Sequence, residues 1–452
     1  MAYISFITTY RPIVCGIADY TEFITRVTPP EKWNVLSFDL DNYGVSLGCD
    51  SPPLTDRVQY TIPGRNDYSA RDILSAIKPC SEHVLWFQHE FGIWRDDSRF
   101  VNMLQNLDRP KVVTPHSLHF QSDETAHGLR RHEYDFLRSL LPCVDAITVF
   151  SDGVYRAVIR AFPEHSKKVH VLRHGTHVYR QLARTSRMEA KKRIHSYLMN
   201  TMELDSVSKR RLSEQRIFVD PNVVVIGGTG FITANKGIEL LGKVRNILQE
   251  IMPSERIAAV YIGFLREPDS DTDRACAIWL RDTYKDGMQF FLELYLPIEI
   301  LPIFMRAMDI YFYWPHDCTQ SGIIAHALGA GATIACREME GVGETVRIAG
   351  GLTSSSLGQL INGIEELILN PEERYRRSMD AARFAERFSW GNQARQHFDL
   401  AETICLKYSY PLAIHTSIGA GTVGSAETSV ALRDELVQSR GIRTEFLRRD
   451  PS

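Results

Sequence analysis

The segment VVVIGGTGFITANKGIEL at 223–240 sets a glycine-rich stretch between an apolar, β-branched run and a helical pattern, with Lys236 at the helical end. In a strand–turn–helix of this kind, backbone N–H groups and the positive end of the helix can approach a phosphate, and an ammonium adds a full charge. That is chemistry for an anion, and nothing in it names the anion. A second string, HDCTQSGIIAHALGAGATIAC at 316–336, places Ser321 and Gly322 before an apolar helix rich in small residues, so the same half offers a second helix N-terminus to a phosphate. In the first half, Gly16 of CGIADYTEFI, the stretch FQHEFGIW at 87–94 and TPHSLH at 114–119 put polar residues at the ends of apolar runs. His89, His116 and His119 are expected to converge on one cleft edge, because three polar clusters at consecutive strand ends are hard to explain as core packing.

These groups need elements to position them. ISFITTY, WNVLSF, HVLWFQ, KVVTPH, AITVFS and KVHVLRHG read as buried strands separated by helix-length intervals, which predicts βαβ units and a parallel sheet. NVVVIGG (222–228), AAVYIGF (258–264), MQFFLE (288–293), MDIYFYW (308–314) and ATIACRE (332–338) repeat the pattern. The expected fold is therefore α/β, with two doubly wound, Rossmann-like halves in tandem and a ligand site in the cleft between them, at the carboxyl ends of their strands. Between the two series, residues 182–216 are polar and charge-rich, including Lys191, Lys192 and Arg193, and read as exposed helices joining the halves. Past Pro411 the stretch TSIGAGTVGSAETS has no hydrophobic period and reads as a flexible linker to a short helix around 428–440.

Composition excludes several classes. The chain has 452 residues, of which 44% are hydrophobic and 24% charged, so most of it cannot be a disordered polymer. Lys and Arg total 52 against 55 Asp and Glu, which leaves no global field to draw the molecule to nucleic acid or anionic lipid. The eight cysteines form no CxxC pair, so neither a zinc site nor a disulfide framework is expected. The sequence starts in a strand-like run without a signal-peptide pattern, and no apolar stretch approaches the ~18 residues of a membrane span, which leads to the expectation of a cytoplasmic protein with no transmembrane segment.

The GGTGFI string also resembles the opening of short-chain dehydrogenases. Those enzymes carry a further glycine where Thr233 or Ala234 stands and a Tyr four residues before a Lys, and none of the 18 tyrosines here has that spacing. Together, CGIA at 15–18, QHEFGI at 88–93, the TxH-type loop ending at His116, ITVFSDG at 147–153, VLRHGTH at 171–177 and FSWGNQARQHFDLAETI at 388–404 resemble family 4 glycosyltransferases of the GT-B fold, in order, from about Ile4 to Tyr408. The resemblance implies an N-terminal acceptor-side domain over 1–180, joined by a crossing helix over about 389–410. It implies a nucleotide-sugar-binding domain over 181–388, with the linker and short helix over 411–452.

The resemblance also implies a retaining transferase that moves a sugar, a hexose in the expected reading, from a nucleotide-diphosphate sugar to a hydroxyl acceptor. The acceptor would be a glycan, a lipid-linked sugar or a small molecule. The donor is a co-substrate; no cofactor and no metal are implied, and Asp269-Ser270-Asp271 in the loop REPDSDTDRA is expected to be solvated surface and not an acidic metal motif. Lys236 would neutralise the departing diphosphate, helped by the helix starting near Gly322. With Lys236, His116 would be a catalytic residue, bordering the sugar and hydrogen-bonding it or the phosphate; Gly16 and Ile17 would close over the diphosphate, and His89 and Glu90 would lie toward the acceptor.

Thr229, Gln320, Ser321, Ile323 and Glu344 complete the expected substrate-binding set. The chain departs from the family at three positions: Phe231 stands where an arginine is usual, and Cys318 and His326 stand where two glutamates eight positions apart are usual. Gln320, Ser321 and the amides after them are expected to substitute. Those losses also keep a second class in view, a non-catalytic homologue that binds sugar nucleotides as a scaffold or sensor.

Overall fold

The structure, a computed structural model, describes residues 2–43, 56–77, 83–265, 270–284 and 287–417. Strands β1 (Tyr3–Ile7), β2 (Trp33–Phe38), β3 (Val58–Ile62), β4 (His83–His89), β5 (Lys111–Pro115), β6 (Ala146–Val149) and β7 (Val169–Val171) form a seven-stranded sheet in the order β3-β2-β1-β4-β5-β6-β7. Strands β8 (Val223–Ile232), β9 (Arg256–Leu265), β10 (Gln289–Glu293), β11 (Ile310–Tyr313), β12 (Ile334–Arg337) and β13 (Leu352–Ser354) form a six-stranded sheet in the order β10-β9-β8-β11-β12-β13. The strand pairs are parallel. The two sheets thus repeat one winding scheme, the doubly wound order in which the chain reverses direction beside its first strand.

Burial on both faces explains why the strands read as continuous apolar runs. Along β4, Leu85 and Phe87 enter the core on one face of the first sheet, while Val84 and Trp86 enter the core on the other. Two strands escaped the sequence reading. β3 is an edge strand whose middle residues are partly exposed, and β13 is a three-residue edge. Neither has an apolar run long enough to stand out.

The glycine-rich segment is not the expected turn. GGTG lies inside β8, which pairs with β9 in register from Val223↔Arg256 to Ile232↔Leu265. The glycines there allow close approach: a Cβ on Gly227 would lie 2.1 Å from Met308 Sδ, and Gly230 has φ +133°, which side chains rarely adopt. The turn comes later, through a 3-10 segment Ala234–Lys236 and Gly237 at φ +62°, before helix Glu239–Ile251. With its glycines held in a ladder, the segment does not build a dinucleotide-type turn.

The polar stretch after β7 forms helices Arg187–Asn200 and Ser206–Gln215. Lys192, Arg193 and Arg210 are exposed as expected, but Lys191 is buried. Its Nζ donates to Asp309 Oδ2 at 2.6 Å and to the Val223 carbonyl at 2.9 Å, and the same carboxylate oxygen accepts the Val225 amide at 2.8 Å. One ion pair therefore ties the connecting helix to the start of β8 and to the turn before β11.

The last described helix is Trp390–Ser417. Trp390, Ala394, Ala401 and Ile404 join the core containing Ile4, Phe6 and Trp86 of the first sheet, and His397 stacks on Trp86 at 4.6 Å. The backbone stays helical through Pro411 to Ser417, beyond the end expected near 410. The stretch expected to form a helix at 428–440 lies outside the described residues.

Removing one partner of a buried ion pair leaves an uncompensated charge, at a cost of about 3–5 kcal/mol. Lys191→Ala is therefore expected to lower the urea midpoint by that much stability, whereas Lys192→Ala leaves it within error. Equal midpoints for the two variants would show that Lys191 carries no structural role.

Candidate functional site

Each sheet has its winding reversal between two adjacent strands, β1 and β4 in the first and β8 and β11 in the second. At such a point the loops leaving the carboxyl ends diverge and open a crevice. The two crevices share one cavity of about 1100 Å³, lined by residues that follow β1, β4 and β5 on one side and β8, β9, β10 and β11 on the other.

On the second-half wall, Thr229, Lys236, Gln320, Ser321, Gly322 and Ile323 all line the cavity. Lys236 Nζ sits 5.4 Å from the centre of the Phe231 ring, an aromatic face where an arginine was expected from the resemblance. Ser321 is the N-cap of helix Gly322–Gly329, yet its hydroxyl makes no cap bond to that helix, so the first amides of the helix stay open to a ligand. The two positions of the missing glutamates, Cys318 and His326, also line the cavity. Burial pushes the Cys318 thiol up to about 11 and the His326 imidazole down to about 4, so both are uncharged at neutral pH. His326 stacks on His177 at 3.8 Å, and its Nδ1 contacts the Tyr179 hydroxyl.

On the first-half wall, Gly16 and Ile17 begin helix Gly16–Arg26, whose N-cap Cys15 accepts the Ala18 amide through Sγ at 3.3 Å. His116 reaches the cavity with Glu90 and Ser117. Its Nε2 is 2.7 Å from Gln88 Oε1, and burial, reinforced by His174, His89 and His397, holds its pKa well below the usual value. The ring is neutral and, with Nε2 bonded to Gln88, offers its other nitrogen to any further partner.

The three histidines do not converge. His89 is 1% exposed, stacks on Phe136 at 4.3 Å and does not line the cavity. The pleat explains this: His89 shares its sheet face with Phe87, while Gln88 shares the opposite face with Trp86. His119 is buried as well; its Nδ1 pairs with Glu133 Oε1 at 2.5 Å and its Nε2 with Asp317 Oδ1 at 3.1 Å. Of the three, His116 alone reaches the cavity.

Glu344, expected to contact substrate, does something else. It is 3% exposed and accepts the amides of Asp152 and Gly153 at 2.8 Å each, at the N-terminus of helix Asp152–Ala161, as well as Arg173 Nη1 at 2.9 Å. A carboxylate at a helix N-terminus meets open amides and the positive end of the dipole together. Nearby, Glu340 accepts the amides of Phe120 (2.7 Å) and Gln121 (3.1 Å) from a backbone at φ +46°. Sequence reasoning passed over Glu340, whose signal is only a second acidic residue in the same short stretch.

For metal binding, no group of three or more His, Cys, Asp or Glu side chains among the described residues is arranged to hold an ion. Asp269 lies outside the described residues, and Asp271 is exposed and paired with Arg274 at 2.5 Å. Among the described residues, no helix is long and apolar enough to cross a membrane.

No protein-family model matches the chain, and no curated protein matches it in sequence. Solved structures do resemble it. A UDP-forming α,α-trehalose-phosphate synthase from Burkholderia vietnamiensis superposes with a TM-score of 0.63 at 10% identity, covering 90% of this chain and 99% of that one. The trehalose-6-phosphate synthase of E. coli bound to UDP-2-fluoro glucose gives 0.61 at 10% identity, with 88% and 99% covered. Anabaena Alr3699/HepE in complex with UDP-glucose gives 0.60 at 14% identity, with 88% and 99% covered. The architecture is the GT-B fold, α/β with two Rossmann-like halves facing across a cleft.

Replacing Glu344 separates scaffold from substrate contact. Glu344→Ala leaves the amides of Asp152 and Gly153 without their acceptor and Arg173 with Asp152 alone, and the expected outcome is a loss of about 3 kcal/mol in denaturant unfolding, with nucleotide affinity per folded molecule unchanged. A folded variant of wild-type stability with weakened nucleotide binding would return Glu344 to the substrate site.

Proposed function

We propose that this chain is a retaining glycosyltransferase that moves a sugar from a nucleotide-diphosphate sugar to a hydroxyl acceptor without a metal. The observation that carries the proposal is the meeting, in one cavity, of Lys236, the uncapped N-terminus of helix Gly322–Gly329, and the start of helix Gly16–Arg26 from the opposite wall. Together they supply one full charge and two sets of backbone donors, which is what a departing diphosphate needs and what a preorganised site delivers without reorganisation. The fold neighbours include UDP-forming synthases and a protein bound to UDP-glucose, which supports UDP-glucose as the first donor to try. The ordered motifs favour family 4 within this fold.

In this reading the diphosphate lies between Lys236 and the amides after Ser321, with Thr229, Gln320 and Ile323 shaping the pocket and Gly16 and Ile17 closing it. His116 borders the sugar as a neutral ring held by Gln88, and Glu90 faces the acceptor. This reading leaves His89 and Glu344 outside the site. No cofactor is invoked, and eight cysteines without a CxxC pair favour the reducing cytoplasm.

A second reading, a sugar-nucleotide-binding protein without turnover, is favoured by one observation: Phe231, Cys318 and His326 leave the donor wall without an arginine and two carboxylates. Release of free nucleotide diphosphate in the presence of acceptor separates the two. A thermal-shift panel of UDP, GDP, ADP, dTDP and their sugars identifies the donor, since a ligand at 100 times its Kd stabilises by about 2.7 kcal/mol.

A charge-assisted contact contributes roughly 1.5–3 kcal/mol, so Lys236→Ala is expected to weaken nucleotide binding about ten- to a hundredfold in a folded protein, as read by calorimetric titration. Unchanged affinity would move the donor elsewhere. Turnover is expected to be undiminished in excess EDTA; activity lost with chelator and restored by Mg²⁺ or Mn²⁺ would overturn the metal-free mechanism.

A further inference from the structure

Among the described residues, Arg11, Arg26 and Arg65 bring guanidinium groups to the first-half wall of the cavity. Arg11 and Arg26 are engaged by carboxylates: Glu22 receives Arg11 Nε and, at 2.7 Å, Arg26 Nη2, and Asp19 lies 3.6 Å from Arg11 Nη2. Arg65 forms no ion pair with a described residue. Its Nε–H donates to the Tyr43 carbonyl and one N–H of Nη1 to the Gly92 carbonyl, at 3.2 Å each, so two of its five N–H groups are used and three stay open, both of Nη2 among them. The guanidinium carbon also lies over the Tyr43 ring, 4.8 Å from its centre. These contacts come from three loops at the carboxyl ends of one sheet: Tyr43 ends the short helix Leu40–Tyr43 after β2, Arg65 follows β3, and Gly92 follows β4. Tyr43 and Gly92 line the same cavity. Glu90, on that wall, turns instead to Ser117, whose hydroxyl its Oε2 accepts, and burial pushes its carboxyl up to about 7.

Two carbonyls and a ring therefore fix the guanidinium in place, and a group that stays protonated at any working pH is left without a counter-ion. A planar, weakly hydrated cation held in this way, with N–H groups still open, suits an oxyanion. The transferase reading already gives the donor diphosphate to Lys236 and helix Gly322–Gly329 on the second-half wall, whereas Arg65 belongs to the wall where the acceptor is expected. Resting on that reading, we propose that Arg65 is a specificity-determining residue that binds a phosphate or carboxylate group of the acceptor, which is thus an anionic hydroxyl compound. Arg65 takes no part in bond breaking. It holds the anionic group and so sets where the acceptor hydroxyl lies, whichever stereochemical course the transfer follows.

The test uses the full chain with glucose, glucuronate and glucose 6-phosphate as matched neutral, carboxylate and phosphate probes. Each is titrated calorimetrically into protein saturated with the nucleoside diphosphate that the thermal-shift panel selects. At least one anionic probe is expected to bind about tenfold or more tightly than glucose, by a margin that shrinks as NaCl is raised, and the preferred probe distinguishes phosphate from carboxylate. Arg65→Gln is expected to abolish that margin with nucleotide affinity unchanged, and Arg65→Lys, which keeps a cation without the planar fork, to retain part of it. A purely structural arginine would behave otherwise: a lowered melting temperature in Arg65→Gln with the anion preference kept overturns the inference and leaves the transferase reading intact. Probes that bind alike, or not at all, overturn it as well. A nucleotide sugar with a carboxylate on its sugar that loses affinity in Arg65→Gln would assign the residue to the donor and overturn the acceptor role. Failure of every nucleotide in the panel to bind overturns the transferase reading and the acceptor role with it, an outcome told from the others because it precedes any anion titration.

Discussion

The site exists because carboxylates of the second half are satisfied by donors of the first. Glu344 holds the N-terminus of helix Asp152–Ala161 and Arg173, Glu340 holds the amides of Phe120 and Gln121, and Asp317 holds Arg130 and His119. Glu344 and Glu340 are themselves buried and would be costly unpaired, so their contacts act as a geometric demand and not as loose attraction, whereas Asp317 is exposed and adds less. They bring the carboxyl ends of two parallel sheets to face one another. Glu340 meets the demand from a left-handed backbone that a glycine would adopt more readily, which shows how closely the position is determined.

Within the cavity, burial removes most of the charge that the residue names suggest. His116, His174, His177 and His326 all have lowered pKa values, chiefly through desolvation, and Cys318 is raised. The donor wall is therefore left with Lys236 and the open amides of a helix terminus as its means of meeting a diphosphate. On the opposite wall, the same desolvation acts on Glu90 in the other sense, keeping it near the point where it can both lose and gain a proton. Burial thus sets the electrostatics of both walls, and around His116 and His174 the aromatic packing of Tyr20, Phe150 and Trp390 supplies it.

Local pattern made much of this legible. The apolar strand runs, the helix-length intervals between them and their repetition predicted two doubly wound halves, and the strand ends at Gly16, Glu90, His116 and Lys236 all reach the cavity. What misled were residues whose neighbours in sequence do not decide their direction. His89 and Glu90 are adjacent, yet the pleat turns one into the Phe136 core and leaves the other on the cavity wall. The glycines of GGTG look like a turn because glycine permits one, but they serve a strand packed closely against Met308 and β9.

Hydrophobic period and strand spacing are local and each βα unit has one favourable hand, so eleven of the thirteen strands and the doubly wound scheme could be read from the chain alone. The sequence also determined which loops carry polar groups at the carboxyl ends. Only the tertiary structure decided which of those groups face a ligand and in what protonation state. Lys191, in a stretch that reads as solvated, is buried against Asp309, and Glu344, which reads as a substrate contact, caps a helix of the other half. Both outcomes depend on a partner more than a hundred residues away in the chain. Burial and ion pairing are properties of such distant contacts, and the desolvation that lowers His116 and raises Glu90 exists only once the chain has packed around them.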